Sequence, residues 1–218
     1  ATDTTKYYAF TQDASNKGQL NILKTDDTEK PWTLQEVISA QTYATLPTST
    51  TLIKDVNTYQ ISKDTTFDSD LGTLTRYDAD TSRTLVINGT NHILNGQNNV
   101  SGITVNSGDT LTLNNVNMEN FKTTTNGGAI NNSGAITGIT GNFKSNSSNG
   151  DGSAIYNKST INSIAGDFTS NSATSYGGAI YNTLSRIDNI EGDFSENSAT
   201  EYDGGAIANM FGTTANFD

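Results

Sequence analysis

The tetrapeptide Gly127-Gly128-Ala129-Ile130 returns as Gly152-Ser153-Ala154-Ile155, as Gly177-Gly178-Ala179-Ile180 and as Gly204-Gly205-Ala206-Ile207, at spacings of 25, 25 and 27 residues. A second landmark keeps step with it. Phe143-Lys144-Ser145-Asn146, Phe168-Thr169-Ser170-Asn171 and Phe194-Ser195-Glu196-Asn197 share the form FxxN at spacings of 25 and 26. An isoleucine pair precedes each phenylalanine: Ile136 and Ile139, Ile161 and Ile164, Ile187 and Ile190. Two landmarks recurring in phase confine the chain to architectures in which one short unit stacks on copies of itself.

The unit is not helical, because its apolar residues do not recur at i, i+3, i+4 and i+7 over any run of ten. Its apolar stretches are three to five residues long, as in Ile103-Thr104-Val105 and Leu111-Thr112-Leu113, and Gly, Asn, Asp and Ser clusters separate them. Short strands at a period near 25 predict an all-β fold, a right-handed parallel β-helix whose rungs lie about 4.8 Å apart, so that like residues fall on like. Ile130, Ile155, Ile180 and Ile207 then form one inward stack, and Met118, Phe143, Phe168 and Phe194 another. Extending the 25-residue frame upstream sets Ile93 under Met118, Val105 under Ile130 and Leu111 under Ile136. Asn132, Asn157, Asn182 and Asn209 fall in one column, and Asn146, Asn171 and Asn197 in a second. Stacked amides satisfy one another and the unpaired backbone of a tight corner; binding of sugar or calcium is the alternative use for them.

The same geometry accounts for the composition. Only 33% of the 218 residues are in the AVILMFWYC set and 16% are charged, whereas Asn, Ser and Thr together supply 83 residues. A rung needs about half a dozen inward side chains, and its corners consume small polar residues. Other classes drop out. No run approaches the ~18 apolar residues of a membrane-spanning helix, so no membrane insertion is expected of this segment. Without cysteine there is no disulfide framework or thiolate metal site, and a single histidine, His92, leaves little for zinc or for acid–base work. No cofactor and no metal are expected. A net charge of −11 argues against nucleic acid and against an anionic membrane surface. Residues 84–218 carry four Lys/Arg against eleven Asp/Glu, which is −7 of that total.

Two regions are expected. Residues 1–50 hold N-terminal strands, Lys6 to Thr11 and Gln19 to Thr25 around an Asp13–Gly18 turn, followed by a short helix in Pro31–Ile38. Thr33 and Glu36 have capping-box spacing there, with Leu34, Val37 and Ile38 as the apolar stripe. That helix is the expected cover for the open end of the solenoid core. Residues 51–218 hold the rungs, regular from about 101 onward, with Thr51–Ile53, Tyr59–Ile61, Thr84–Ile87 and His92–Leu94 as irregular early strands. Near the C-terminus Asn216-Phe217 resembles the GDF step after a shortened connection, and the chain stops inside a rung with no cap in sight. This predicts either continuation into a longer solenoid or stacking of another chain on that end.

The alternating GGAI and FxxN tetrapeptides, sharpest over residues 127–209, resemble the polymorphic outer membrane proteins of the chlamydial type and related bacterial autotransporter passengers. Leu85-Val86-Ile87-Asn88-Gly89 and Leu94-Asn95-Gly96 also look like the opening of a pectin-lyase-like β-helix. The resemblance implies export, a β-helical passenger at the bacterial cell surface or outside the cell, and adhesion. The chain departs from the family in lacking cysteine and in containing no membrane-inserted C-terminal β-barrel.

Pectin-lyase-like β-helices include polysaccharide-active enzymes, which need convergent carboxylates. Asp167 and Asp193 share a column after Asn142, but as members of the repeated GDF they read as turn residues, and basic groups nearby are scarce: Arg186 is the one arginine after Arg83. Asp78-Ala79-Asp80-Thr81-Ser82 alternates oxygen ligands without the glycine and distal glutamate of a calcium loop. Tyr156 and Tyr181 share a column that points outward, and form a possible partner surface for a sugar ring or a protein, with cross-rung packing as their ordinary use. The expected function is therefore non-enzymatic: adhesion to a protein or glycan of a host or neighbouring cell, or self-association. The alternatives are a subunit stacking end to end into an extracellular filament and, third, a polysaccharide-active enzyme.

Overall fold

The computed structural model describes residues 84–217 continuously, together with 8–12, 20–24, 29–31, 57–61, 64–67 and 72–73. Among the described residues from Asn57 onward every strand pairing is parallel, and the strands form four ribbons wound by one chain. The turn that opens at Ile130 shows the pattern: Ile130–Asn132, Ala135–Thr140, Phe143–Lys144 and Ser147–Ser148 follow one another around the coil. Each then pairs with its counterpart one turn on, Ile155–Asn157, Thr160–Ala165, Phe168–Thr169 and Ser172–Ala173. We refer to these ribbons as the asparagine, isoleucine, phenylalanine and serine sheets; among the described residues they contain six, seven, six and four strands. The fold is the parallel β-solenoid that the repeat predicts.

Alternation builds the core. Leu111 and Leu113 on Thr110–Asn114 are buried, as are Ile136, Ile139, Ile161, Ile164, Ile187 and Ile190 farther along the isoleucine sheet. Ile130 pairs with Ile155 and Ile155 with Ile180, all without exposed surface. Phe143, Phe168 and Phe194 stack ring on ring, at 4.9 and 4.8 Å with interplanar angles of 4° and 1°. Met118 pairs with Phe143 beneath them. Phe194 and Ile207 are partly buried against this cluster.

The corners use the polar residues. In FxxN the residue before the asparagine turns left-handed (φ 54° at Ser145, 55° at Ser170, 57° at Glu196), which swings the asparagine inward. In GGAI the first glycine is left-handed each time, φ 69°, 54°, 63° and 79°, and a Cβ there would meet the carbonyl oxygen of the isoleucine three residues on at 2.2–2.6 Å. Only glycine fits that corner.

Upstream, two of the three assignments of the 25-residue frame are corrected. Met118 pairs with Leu94, while Ile93 pairs with Asn117, because that turn is one residue shorter. Ile130 pairs with Ile103 and Val105 with Asn132, because the earlier connection is two residues longer. Leu111 does pair with Ile136. Near the other end, Phe217 is aligned with Ile190 on the isoleucine sheet, not with the phenylalanines of GDF.

Residues Tyr8–Gln12, Leu20–Lys24 and Glu29–Pro31 form a separate antiparallel sheet, whose third strand takes Pro31. The capping helix and the Thr51–Ile53 strand lie outside the described residues, as does Asp78–Ser82.

Candidate functional site

A solenoid offers ligands its outer faces, and these faces differ. The isoleucine sheet turns Ser163, Asp188 and Asn189 outward, the phenylalanine sheet Lys144, Thr169 and Ser195, and the serine sheet Ser147, Ser172 and Ser198. The asparagine sheet is the exception. Two of its strands, Ile155–Asn157 and Ile180–Thr183, open Ile-Tyr-Asn, with isoleucine and asparagine inward and tyrosine outward, and on that outer side Tyr156, Tyr181 and Ala208 pack with Tyr176 and Met210 into a second apolar cluster apart from the core.

The stacked asparagines bond to one another from turn to turn. Asn132 Nδ2 donates to Asn157 Oδ1 at 2.7 Å, Asn157 to Asn182 at 2.8 Å, and Asn182 to Asn209 at 2.9 Å. In the second column Asn146 Nδ2 donates to Asn171 Oδ1 and Asn171 to Asn197, each at 3.0 Å. The other amide hydrogens of that column reach the carbonyls of Met118, Phe143 and Phe168. These donors and acceptors are used within the stack.

Asp167 and Asp193 have similar work. Asn142 Oδ1 accepts from the Asp167 amide at 2.9 Å, and Asp167 Oδ1 from the Asp193 amide at 3.0 Å, so the column clips one corner to the next. His92 Nδ1 lies 3.2 Å from Asp64 Oδ1, which also accepts from the Ile93 amide at 2.9 Å. The Ile93 amide, then the His92 ring, hold the Asp64 carboxyl below the usual carboxylate range. Among the described residues no group of three His, Cys, Asp or Glu could hold a metal ion, and no helix is long and apolar enough to cross a membrane.

The tyrosine column needs correcting. Tyr156 and Tyr181 do lie on the outer side and stack at 5.6 Å, but they are only 7% and 8% exposed. Tyr176 and Met210 cover them, and the Tyr181 hydroxyl donates to Met210 Sδ at 3.5 Å. The surface is made by residues that motif reading passed over. Tyr176 stacks on Tyr181 at 5.9 Å, and Tyr202 on Tyr176 at 4.8 Å and 16°. Tyr202 is 56% exposed, and at the opposite edge of the same sheet Leu184 and Phe211 are 79% and 82% exposed.

Leu184 and Tyr202 mark the places where the repeat lengthens, and Phe211 the place where the longer form recurs. Asn157 pairs with Asn182, 25 residues on, but Thr160 pairs with Arg186, 26 on, so the second connection holds one residue more, and Leu184 lies within it. Ser172 pairs with Ser198, 26 on, but Ile180 with Ile207, 27 on, so a further residue enters around Tyr202-Asp203. The next connection keeps the longer form, with Phe211 where Leu184 was. Both Leu184 (φ 51°) and Phe211 (φ 58°) are left-handed, a strained setting for large side chains. The added residues present apolar groups to solvent at both edges of the one outer face that is already aromatic.

Residues 166–183, which run from one FxxN through GGAI, match the family model of the Chlamydia polymorphic membrane protein (Chlamydia_PMP) repeat. No curated protein and no solved structure matches the chain.

Proposed function

We propose that this chain, a passenger-like parallel β-solenoid carrying the polymorphic membrane protein repeat, is a non-enzymatic adhesive protein of the bacterial cell surface. Its adhesive surface is the outer face of the asparagine sheet in the last turns. A cell-surface location accords with the family of that repeat. The observation that carries the adhesive reading is the placement of Leu184, Tyr202 and Phe211: the most exposed large apolar side chains among the described residues all sit at repeat insertions bordering one face. Scattered apolar residues on a surface need no explanation, but a cluster flanking buried aromatics marks a place where another molecule is received. The partner is a protein or glycan of a host or neighbouring cell.

Beads coated with the purified chain should bind a host-cell monolayer saturably. The Leu184→Asn/Phe211→Asn double variant should lose most of that binding while keeping the wild-type circular dichroism spectrum. Wild-type beads that bind no better than bare beads would sink the adhesive reading.

A further inference from the structure

The sequence contains four Asn-Gly steps, beginning at Asn88, Asn95, Asn126 and Asn149, and each falls at a corner of the coil. An asparagine before glycine closes readily into a cyclic imide, because no side chain shields the following amide nitrogen and the backbone there turns freely. The coil holds the four steps differently. Gly89, Gly96 and Gly127 are buried, and their amides donate to the carbonyls of Asn114, Glu119 and Asp151, one turn on, at 2.7, 2.9 and 3.1 Å. Their asparagines are held as well. Asn88 Oδ1 accepts from Asn114 Nδ2, Asn95 Oδ1 from the Gln97 amide and Asn126 Oδ1 from the Asp151 amide, each at 2.8 Å. In these three steps the attacking nitrogen and the side chain it must reach are both tied.

Asn149-Gly150 is the exception. Asn149 is exposed and Gly150 only half-buried. Among the described residues the Asn149 side chain has no hydrogen-bond partner. A single bond restrains the attacking nitrogen, from the Gly150 amide to the Thr125 carbonyl at 2.8 Å. This corner has a turn on either side: the Asn149 amide donates to the Thr123 carbonyl of the turn before, and the Gly150 carbonyl accepts from the Ser175 amide of the turn after. Its exposure is therefore a property of the corner itself.

We propose that Asn149 is a site of self-modification in the folded coil, converting to aspartate and isoaspartate while the other three asparagines are protected. The Gly150 amide nitrogen gives up its proton and attacks Asn149 Cγ. A C–N bond forms, the Cγ–Nδ2 bond breaks, and Nδ2 leaves with that proton as ammonia. Water then opens the imide at one carbonyl or the other. Either product adds a negative charge two residues from Asp151, whose Oδ1 holds the Tyr176 amide at 3.1 Å. Isoaspartate also adds one backbone atom to the connection that enters the asparagine sheet.

The test is peptide mapping by mass spectrometry, with enzymatic methyl labelling of isoaspartate, after long incubation of the purified chain in mildly alkaline buffer. In the folded chain Asn149 should convert at least about five-fold faster than Asn88, Asn95 or Asn126, because only local opening of a whole corner frees those three. In concentrated urea the four should convert at comparable rates. Asn149→Gln should remove most of the isoaspartate label from the folded chain without changing its circular dichroism spectrum. Conversion of another Asn-Gly step as fast as Asn149 in the folded chain, or no conversion at Asn149, overturns the proposal. An equal lead of Asn149 in urea would trace its reactivity to local sequence and overturn the fold's part in it.

Discussion

Asn171 uses its whole amide inside the coil. Its backbone N–H and its Nδ2 both donate to Asn197 Oδ1, its second Nδ2 hydrogen goes to the Phe143 carbonyl, and its Oδ1 receives the Asn146 amides. Each such bond contributes about 1 kcal/mol net, but leaving a buried amide unpaired costs more. Columns of this kind therefore hold the corners by satisfaction more than by attraction. Glycine sets the opposite corner by shape. Gly177, at φ 63°, would place a Cβ 2.2 Å from the Ile180 carbonyl oxygen, a backbone atom that cannot step aside. Gly138, in mid-strand without positive φ, would place one 3.3 Å from the Ser163 hydroxyl, the end of a movable side chain. Gly177→Ala should therefore cost at least about 2 kcal/mol of unfolding free energy, while Gly138→Ala should change it by less than about 0.5 kcal/mol. Chemical denaturation of the two variants beside wild type checks the contrast. The identity of these glycines and asparagines was legible from the repeat, since a residue that returns in phase at a corner must answer the same geometric demand. The burial of Tyr156 and Tyr181 was not: it depends on Tyr176, from the bend before Ile180, and on Met210, from the strand one turn on, neither of which carries a motif.

At the scale of the element, the signal that locates the candidate site lies in the spacings 25, 25 and 27 and 25 and 26. Their excess over 25 counts inserted residues, and the unequal excess in the two landmarks says between which strands each insertion falls. The same sensitivity misled the upstream frame, where a rigid count of 25 misassigned Ile93 and Val105 because two connections there differ in length. Inserted residues at corners cost stability. Leu184 holds a left-handed backbone and, at 79% exposure, gives little packing in return. Asparagine adopts that backbone more readily. Leu184→Asn should accordingly raise stability by about 0.5–1 kcal/mol, read as an upward shift in Tm with unchanged secondary structure. A substitution that stabilises the fold while weakening adhesion is the expected mark of a residue kept for contact. Loss of stability on Leu184→Asn would mean that the side chain packs in a way its exposure does not indicate.

At the scale of the whole molecule, a coil of stacked turns has a core only one turn deep, so each turn is stabilised by itself and by its two neighbours. The phenylalanine column tests this directly. Phe168 has no exposed surface and is stacked on both faces, by Phe143 and by Phe194. Phe194 is only partly buried. Phe168→Ala should cost about 3–5 kcal/mol and leave a void between two rings, whereas Phe194→Ala should cost roughly half as much. The two should also differ in where protection is lost. In native-state hydrogen exchange, Phe168→Ala should accelerate amides across the turns containing Phe143, Phe168 and Phe194, while the amides of Leu85–Ile87 and Leu111–Leu113 keep most of their wild-type protection. Phe194→Ala should confine its effect to the turns containing Phe168 and Phe194 and to Ile207–Met210. Uniform loss of protection from Leu85 to Ile207 in both variants would show instead that the coil unfolds as one cooperative block, and the nearest-neighbour account would fail. The outcome bears on function, because local opening of the last turns under either substitution would disturb the face that carries Tyr176, Tyr202 and Phe211 without unfolding the coil behind it.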